Sequence, residues 1–194
     1  WNVPLSIQRK ELLPQIRKDA RYLAKHSYEI VDRAGNVVNA TVPLSAAMLG
    51  QLRSGKLSLR QTPGPNNSLG LLKFDLPNSY DVYMHDTPAT ELFAKSRRDF
   101  SHGCIRIADP VGLATWVLRD KPEWNEERIR AAMAGDETVR VQLTKPIPVL
   151  IVYGTAVVME DGEVRFFDDI YGQDTKLQQI LSKGYPYSSA ASQP

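Results

Sequence analysis

The segment Ser101-His102-Gly103-Cys104-Ile105-Arg106-Ile107 holds the residues from which the rest of the chain is best read. Cys104 is the sole cysteine among 194 residues. A lone cysteine is more often a small buried hydrophobe than a nucleophile. Its neighbours here argue the other way. A histidine two residues before it offers a thiolate–imidazolium pair, in which the thiolate is the nucleophile. Gly103 lets substrate approach the backbone closely and lets the Gly103 and Cys104 amides face a developing oxyanion. In an extended segment Arg106 lies on the same side as Cys104, where it adds positive potential and can grip a carboxylate.

Two histidines compete for the role of base. His102 and Cys104 share a strand face at i and i+2, but such side chains diverge at their tips. His85 closes a strand predicted over Asp81 to His85 and precedes Asp86-Thr87-Pro88. Loops at strand ends are common homes for catalytic groups. His26 follows the first helix and reads as a surface residue.

Outward from this segment, the pattern predicts a helix over Ser6 to Lys18, capped by Ser6 and interrupted at Pro14. Tyr28 to Val31 and Val37 to Val38 read as a hairpin around Asp32-Arg33-Ala34-Gly35-Asn36. Ser45 to Leu52 holds one or two helical turns, and residues 24–60 read as a surface insertion or small cap. A turn-dense loop, Gln61 to Gly70, leads into Leu71 to Phe74. Helices are predicted over Asp109 to Arg119 and Asn125 to Met133, the second ending at Gly135. Val139 to Leu143, Val149 to Val158 and Val164 to Phe167 read as strands, the last two joined at Asp161-Gly162. A short helix, Asp174 to Leu181, precedes a polar tail over 188–194, expected to be disordered. The sum is an α+β, strand-rich domain with peripheral helices and no regular βαβ alternation.

Composition narrows the function classes. At this size roughly 70% of the unfolded chain's surface can be buried, so a core forms without metal or disulfide staples. Lys+Arg 24 against Asp+Glu 22 gives a net charge of +2, with no basic stripe of the kind that tracks nucleic-acid phosphates. No window approaches 18 consecutive apolar residues, so no membrane span is expected. One cysteine and three scattered histidines argue against a metal site. The chain opens at Trp1 rather than Met and reads as a piece of something longer.

The motif residues also carry a resemblance. His85, then fifteen residues (86 to 100), then Ser101-His102-Gly103-Cys104-Ile105-Arg106 resembles the signature of the L,D-transpeptidase catalytic domain, the YkuD-type family that remodels bacterial peptidoglycan. Trp1-Asn2-Val3-Pro4, the loop Pro63 to Gly70, Tyr83 to Pro88 and Trp124-Asn125 resemble its YcbB-like Gram-negative branch. The likeness runs, with gaps, from Trp1 to about Tyr171.

That resemblance implies a YkuD-type β-sandwich or barrel-like catalytic core over residues 1–187, with residues 24–60 where the branch carries a mobile cap. It implies Cys104 as nucleophile and His85 as general base and acid. It places the Asp86 carbonyl on that histidine, fixing its tautomer as the third member of a triad does. Ser101, His102, Gly103 and Arg106 would line the oxyanion and substrate site. Some members carry Ser at the His102 position, which ranks it below His85. Tyr83 would face the same cleft; a core-facing aromatic is the equal alternative. The reaction implied is formation of 3→3 cross-links between diaminopimelate residues of peptidoglycan tetrapeptide stems, without a cofactor. The partners implied are donor and acceptor stems, carbapenem-type β-lactams as covalent inhibitors, and other cell-wall synthesis proteins. The compartment implied is the periplasm, which a single unpaired cysteine suits. An L,D-carboxypeptidase, or an enzyme attaching or releasing a lipoprotein, would use the same residues. A non-catalytic peptidoglycan-binding module is the more distant alternative. A papain-like hydrolase fits poorly, because its cysteine precedes its histidine.

Overall fold

The N-terminal helix is apolar on one side, and that side decides where the larger core forms. In the computed structural model, which describes residues 1–184, helical structure runs through α1 (Leu5–Ile7), a π turn (Gln8–Leu12) and α2 (Leu13–Lys18). It starts at Pro4, not at Ser6: the Pro4 carbonyl accepts the Gln8 N–H at 2.9 Å, and Ser6 lies inside the helix. Pro14 does not interrupt it. The widened π turn ends at Leu12, two residues before Pro14, and takes in Lys10, on whose carbonyl the proline ring would otherwise press.

Two units make up the chain, Trp1–Ile147 and Pro148–Pro194. In the first, α3 (Tyr22–Lys25) leads into β1 (Tyr28–Val31), which pairs antiparallel with β2 (Ser58–Gln61), Tyr28 opposite Gln61 and Val31 opposite Ser58. The expected hairpin is present: Val37 bridges Val31, and the Asp32 carboxylate accepts from the Ala34 and Asn36 amides. Helix α4 (Ala46–Ser54) is capped by Ser45, whose hydroxyl accepts from Met48 N. Leu12, Leu13, Ile16, Ile30, Leu52, Leu57 and Leu59 close into one core. Residues 24–60 thus contribute core side chains as well as surface.

Gln8 sits fully buried in that core, and its amide is saturated. Nε2 donates to the carbonyls of Leu52 (2.6 Å) and Leu57 (3.2 Å), and Oε1 accepts from Leu59 N at 2.7 Å. Gln8→Leu strands the Leu57 carbonyl and the Leu59 amide in an apolar setting, each a desolvation cost of about 1–3 kcal/mol, while the Leu52 carbonyl keeps the Gly55 amide at 3.2 Å. Chemical denaturation should show a loss of roughly 3 kcal/mol or more.

The second sheet of this unit has the order β3 (Lys73–Phe74), β4 (Met84–His85), β5 (Ile105–Arg106). Helices α5 (Pro110–Val117) and α6 (Glu126–Met133) start at Asp109 and Asn125, whose side chains accept from Gly112 N and Arg128 N. They join through Val111, Ala114, Leu118 and Ile129, with Leu72, Phe74, Trp124, Val141 and Leu143 packed against that cluster. Phe74 therefore points to the helices, and its neighbour Lys73 to the other face.

In the second unit β6 (Ala156–Val158) and β7 (Val164–Phe166) form an antiparallel hairpin around Gly162. Helix α7 (Gln173–Ser182) follows, its first amides held by the Asp169 carboxylate.

The strand-rich expectation is corrected. The described residues form a mixed fold of several small sheets and helices, with strands of only two to four residues. Val141 and Leu143 use their alternation for packing, with no strand partner. The strand expected over 149–158 shrinks to Ala156–Val158, because the partner strand ends at Phe166 and the chain then turns into Asp169. The tail expected over 188–194 lies outside the described residues. Among the described residues, no helix is long and apolar enough to cross a membrane.

Candidate active site

Register in the second sheet puts the motif residues on one face. β3 pairs antiparallel with β4, Lys73 opposite His85, and β4 pairs parallel with β5, His85 opposite Arg106. Ile105 N donates to Tyr83 O at 3.0 Å, and Ile107 N to His85 O at 2.9 Å. Side chains in register share a face, and period two adds i±2 neighbours. Tyr83, His85, Cys104 and Arg106 therefore face one way; Phe74, Met84 and Ile105 face the other. His85 lies diagonally across from Cys104.

His85 is buried, 4% exposed. Its Nδ1 lies 2.5 Å from the Asp86 carbonyl oxygen. A carbonyl only accepts, so Nδ1 carries the proton and neutral His85 keeps Nε2 as its basic nitrogen. The Asp86 carboxylate turns the other way and accepts from Leu71 N at 2.9 Å. Gly70 makes room for it: its φ is +64°, and a Cβ there would meet Asp86 Oδ2 at 2.4 Å. The loop before it is pinned by Asn67, whose Nδ2 donates to the Gln61 and Thr62 carbonyls.

Cys104 is half-buried, with Sγ 3.9 Å from the Asp81 carbonyl. Tyr83 is its close neighbour. Burial first, and Cys104 second, push the Tyr83 phenol up to about 12. Tyr83 also tilts against the His85 ring at 5.8 Å between centroids. Ser101 shapes the turn into Cys104: its hydroxyl donates to the Cys104 carbonyl at 2.7 Å and accepts from Gly103 N at 3.2 Å. The Gly103 amide, expected to face an oxyanion, is thus taken by Ser101 in this state; Gly103 itself has a φ of +122°, which favours glycine. His102 makes its contact with the N-terminal helix. Its Nε2 pairs with Glu11 Oε1 at 2.8 Å, both side chains largely exposed. Arg106 reaches the Phe100 carbonyl at 3.4 Å, and its Nε is buried without a hydrogen-bond partner.

A family model for the YkuD L,D-transpeptidase catalytic domain matches residues 1–159. The chain belongs to that family. A protein of Haemophilus influenzae named "Putative L,D-transpeptidase" is 33% identical over 177 residues, which cover 91% of this chain and 35% of that protein. The chain thus spans about a third of that relative's length.

In this YkuD domain the electrostatics around His85 have a definite sign. Burial lowers its pKa from the ordinary 6.5, and the Arg106 charge lowers it further; the Asp86 carbonyl opposes both. The folded state thus holds His85 neutral where the unfolded chain begins to take up a proton. Stability linked to His85 is complete above 6.5 and is lost as pH falls through the lower folded value. The slope there should approach at most about 1.4 kcal/mol per pH unit. Denaturation midpoints at pH 8, 7, 6 and 5 should be flat and then fall, and His85→Gln should remove that fall.

Two residues that the sequence did not single out contact the candidate site residues. Lys73 enters through the register Lys73–His85–Arg106, and its Nζ stands 4.2 Å over the Tyr83 ring. Glu11 enters through the π turn that also turns Gln8 inward; a long-range contact of this kind leaves no local pattern. Among the described residues no group of three or more His, Cys, Asp or Glu converges as a metal site.

Proposed function

We propose that the domain is a peptidoglycan L,D-transpeptidase that forms 3→3 cross-links through a thioester on Cys104. One observation carries the reading. His85, its proton confined to Nδ1 by the Asp86 carbonyl, shares a sheet face with the only cysteine.

The steps follow from that arrangement. His85 Nε2 takes the Cys104 proton, and Sγ attacks the carbonyl between diaminopimelate and the terminal D-Ala of a donor tetrapeptide stem. The Cys104 amide, joined by Gly103 when the Ser101 contact yields, holds the oxyanion, which is worth roughly 3 kcal/mol. The C–N bond breaks, and protonated His85 gives its proton to the leaving D-Ala amine. An acceptor stem's side-chain amine, deprotonated by the same nitrogen, then attacks the thioester and restores the thiol. Ser101 holds the turn, Tyr83 and Arg106 line the cleft, and His102 borders it through its partner Glu11.

On this reading residues 1–187 form one catalytic domain, the three-stranded sheet is part of a β-sandwich core, and residues 24–60 act as its cap. The domain works in the periplasm of a Gram-negative envelope on donor and acceptor stems, beside other cell-wall synthesis proteins. Carbapenems acylate Cys104. Mass spectrometry of the reaction with a purified disaccharide-tetrapeptide tests the reading. A dimer lighter than two monomers by one D-Ala, with a diaminopimelate–diaminopimelate bond in its fragments, is expected. Tripeptide and free D-Ala without dimer would assign an L,D-carboxypeptidase. No change would overturn an enzymatic role and favour a binding module.

A further inference from the structure

We propose that Lys73 is a specificity residue that binds a free carboxylate of the donor stem, beside Arg106 on the face that carries Cys104 and His85. The inference rests on the transpeptidase reading. Its basis is the sheet register, which lines up Lys73, His85 and Arg106 across three strands, so two cationic side chains flank the buried imidazole on one face.

Lys73 is aimed at the reacting residues. Its Nζ stands 4.2 Å over the ring of Tyr83, and Tyr83 adjoins Cys104. Its present partner is Asp75, at 2.7 Å, with 41% of the lysine and 59% of the aspartate side chain exposed. Exposed pairs of this kind contribute little, so a substrate carboxylate can replace Asp75. Asp75 would not be left alone, because Arg140 Nη1 lies 4.0 Å from its Oδ2. On the other flank Arg106 Nε is buried without an acceptor. The row therefore offers one exchangeable cation and one under-satisfied one. In a stem peptide ending in D-Ala, two free carboxylates lie next to the bond to be cut, the C-terminal one and the one on the diaminopimelate side chain. The lysine ammonium is a compact point charge and can donate to either.

The test compares three donors: the free tetrapeptide stem, the stem amidated at its C-terminus, and the stem amidated on the diaminopimelate side chain. Lys73→Gln should raise KM for the free stem about tenfold, as loss of one charged hydrogen bond does, with kcat within about twofold. Lys73→Arg should restore most of it. One amidated stem should show that raised KM already with the unaltered protein and no further rise with Lys73→Gln, which names the carboxylate. A rise in KM that is equal on all three stems, no rise on any, or a loss in kcat alone would overturn the proposal and leave Lys73 as a support for Tyr83. If the unaltered protein cleaves no stem, the transpeptidase reading fails separately. Calorimetric binding of the three stems to Cys104→Ala then decides: a preference for one free carboxylate, lost in Cys104→Ala/Lys73→Gln, supports Lys73, and equal affinities overturn it.

Discussion

Cys104→Ala is expected to stop D-Ala release, with a fall on the order of a million-fold in kcat, as removal of a covalent nucleophile gives. No other residue of the chain can replace the thiol, since Cys104 is the single cysteine. The variant should keep its fold. Cys104 is half-buried, and its neighbouring contacts run through backbone: Ser101 Oγ to the Cys104 carbonyl and Ile105 N to Tyr83 O. The thermal midpoint should therefore stay within a few degrees while turnover vanishes. Intact mass after incubation with donor stem gives the second readout. The unaltered protein should gain the mass of a tripeptide stem less one water, as the thioester, and Cys104→Ala none. Undiminished D-Ala release by Cys104→Ala would end the thioester mechanism.

The second large effect is on the base. His85→Gln should lower kcat by about a hundred- to ten-thousand-fold, the range that acid–base assistance supplies. Some turnover should persist, because the thiol, the Cys104 amide and the cation row remain. His102→Gln should cost far less, since that ring faces Glu11 and is largely exposed. The ordering of the two histidines is the informative outcome. A His102 variant crippled more than the His85 variant would transfer the role of base to His102 and remove the tautomer argument at Asp86.

Much of this site was legible before any coordinates. Alternation through Asp81 to His85 and through Cys104 to Arg106 places Tyr83, His85, Cys104 and Arg106 on common faces, because a strand repeats every two residues whatever its neighbours do. The helices expected from Ser45, Asp109 and Asn125 begin at those residues, whose side chains cap them, whereas the cap read at Ser6 lies inside its helix. The remaining illegible parts are all long-range. Nothing near Lys73 says that it lies opposite His85; a ladder between residues twelve apart says it. Gln8 reads as an ordinary polar helix residue until the carbonyls of Leu52 and Leu57 are brought to it. The misread strands have the same cause. Val139 to Leu143 has strand propensity, but propensity only fits a residue to a pleated surface and cannot provide the partner.

Asp86 serves two masters with two different atoms. The bond to His85 is made by its main-chain oxygen, and the bond to Leu71 by its side chain. Mutation can reach only the second. A lineage that lost the carboxylate would lose one anchor of the 62–71 loop, leaving it to Asn67, while the imidazole kept its proton on Nδ1. The proton's address is thus written in the one part of the polymer that amino-acid replacement leaves alone, and the loop around it is free to drift toward new substrates without erasing the base.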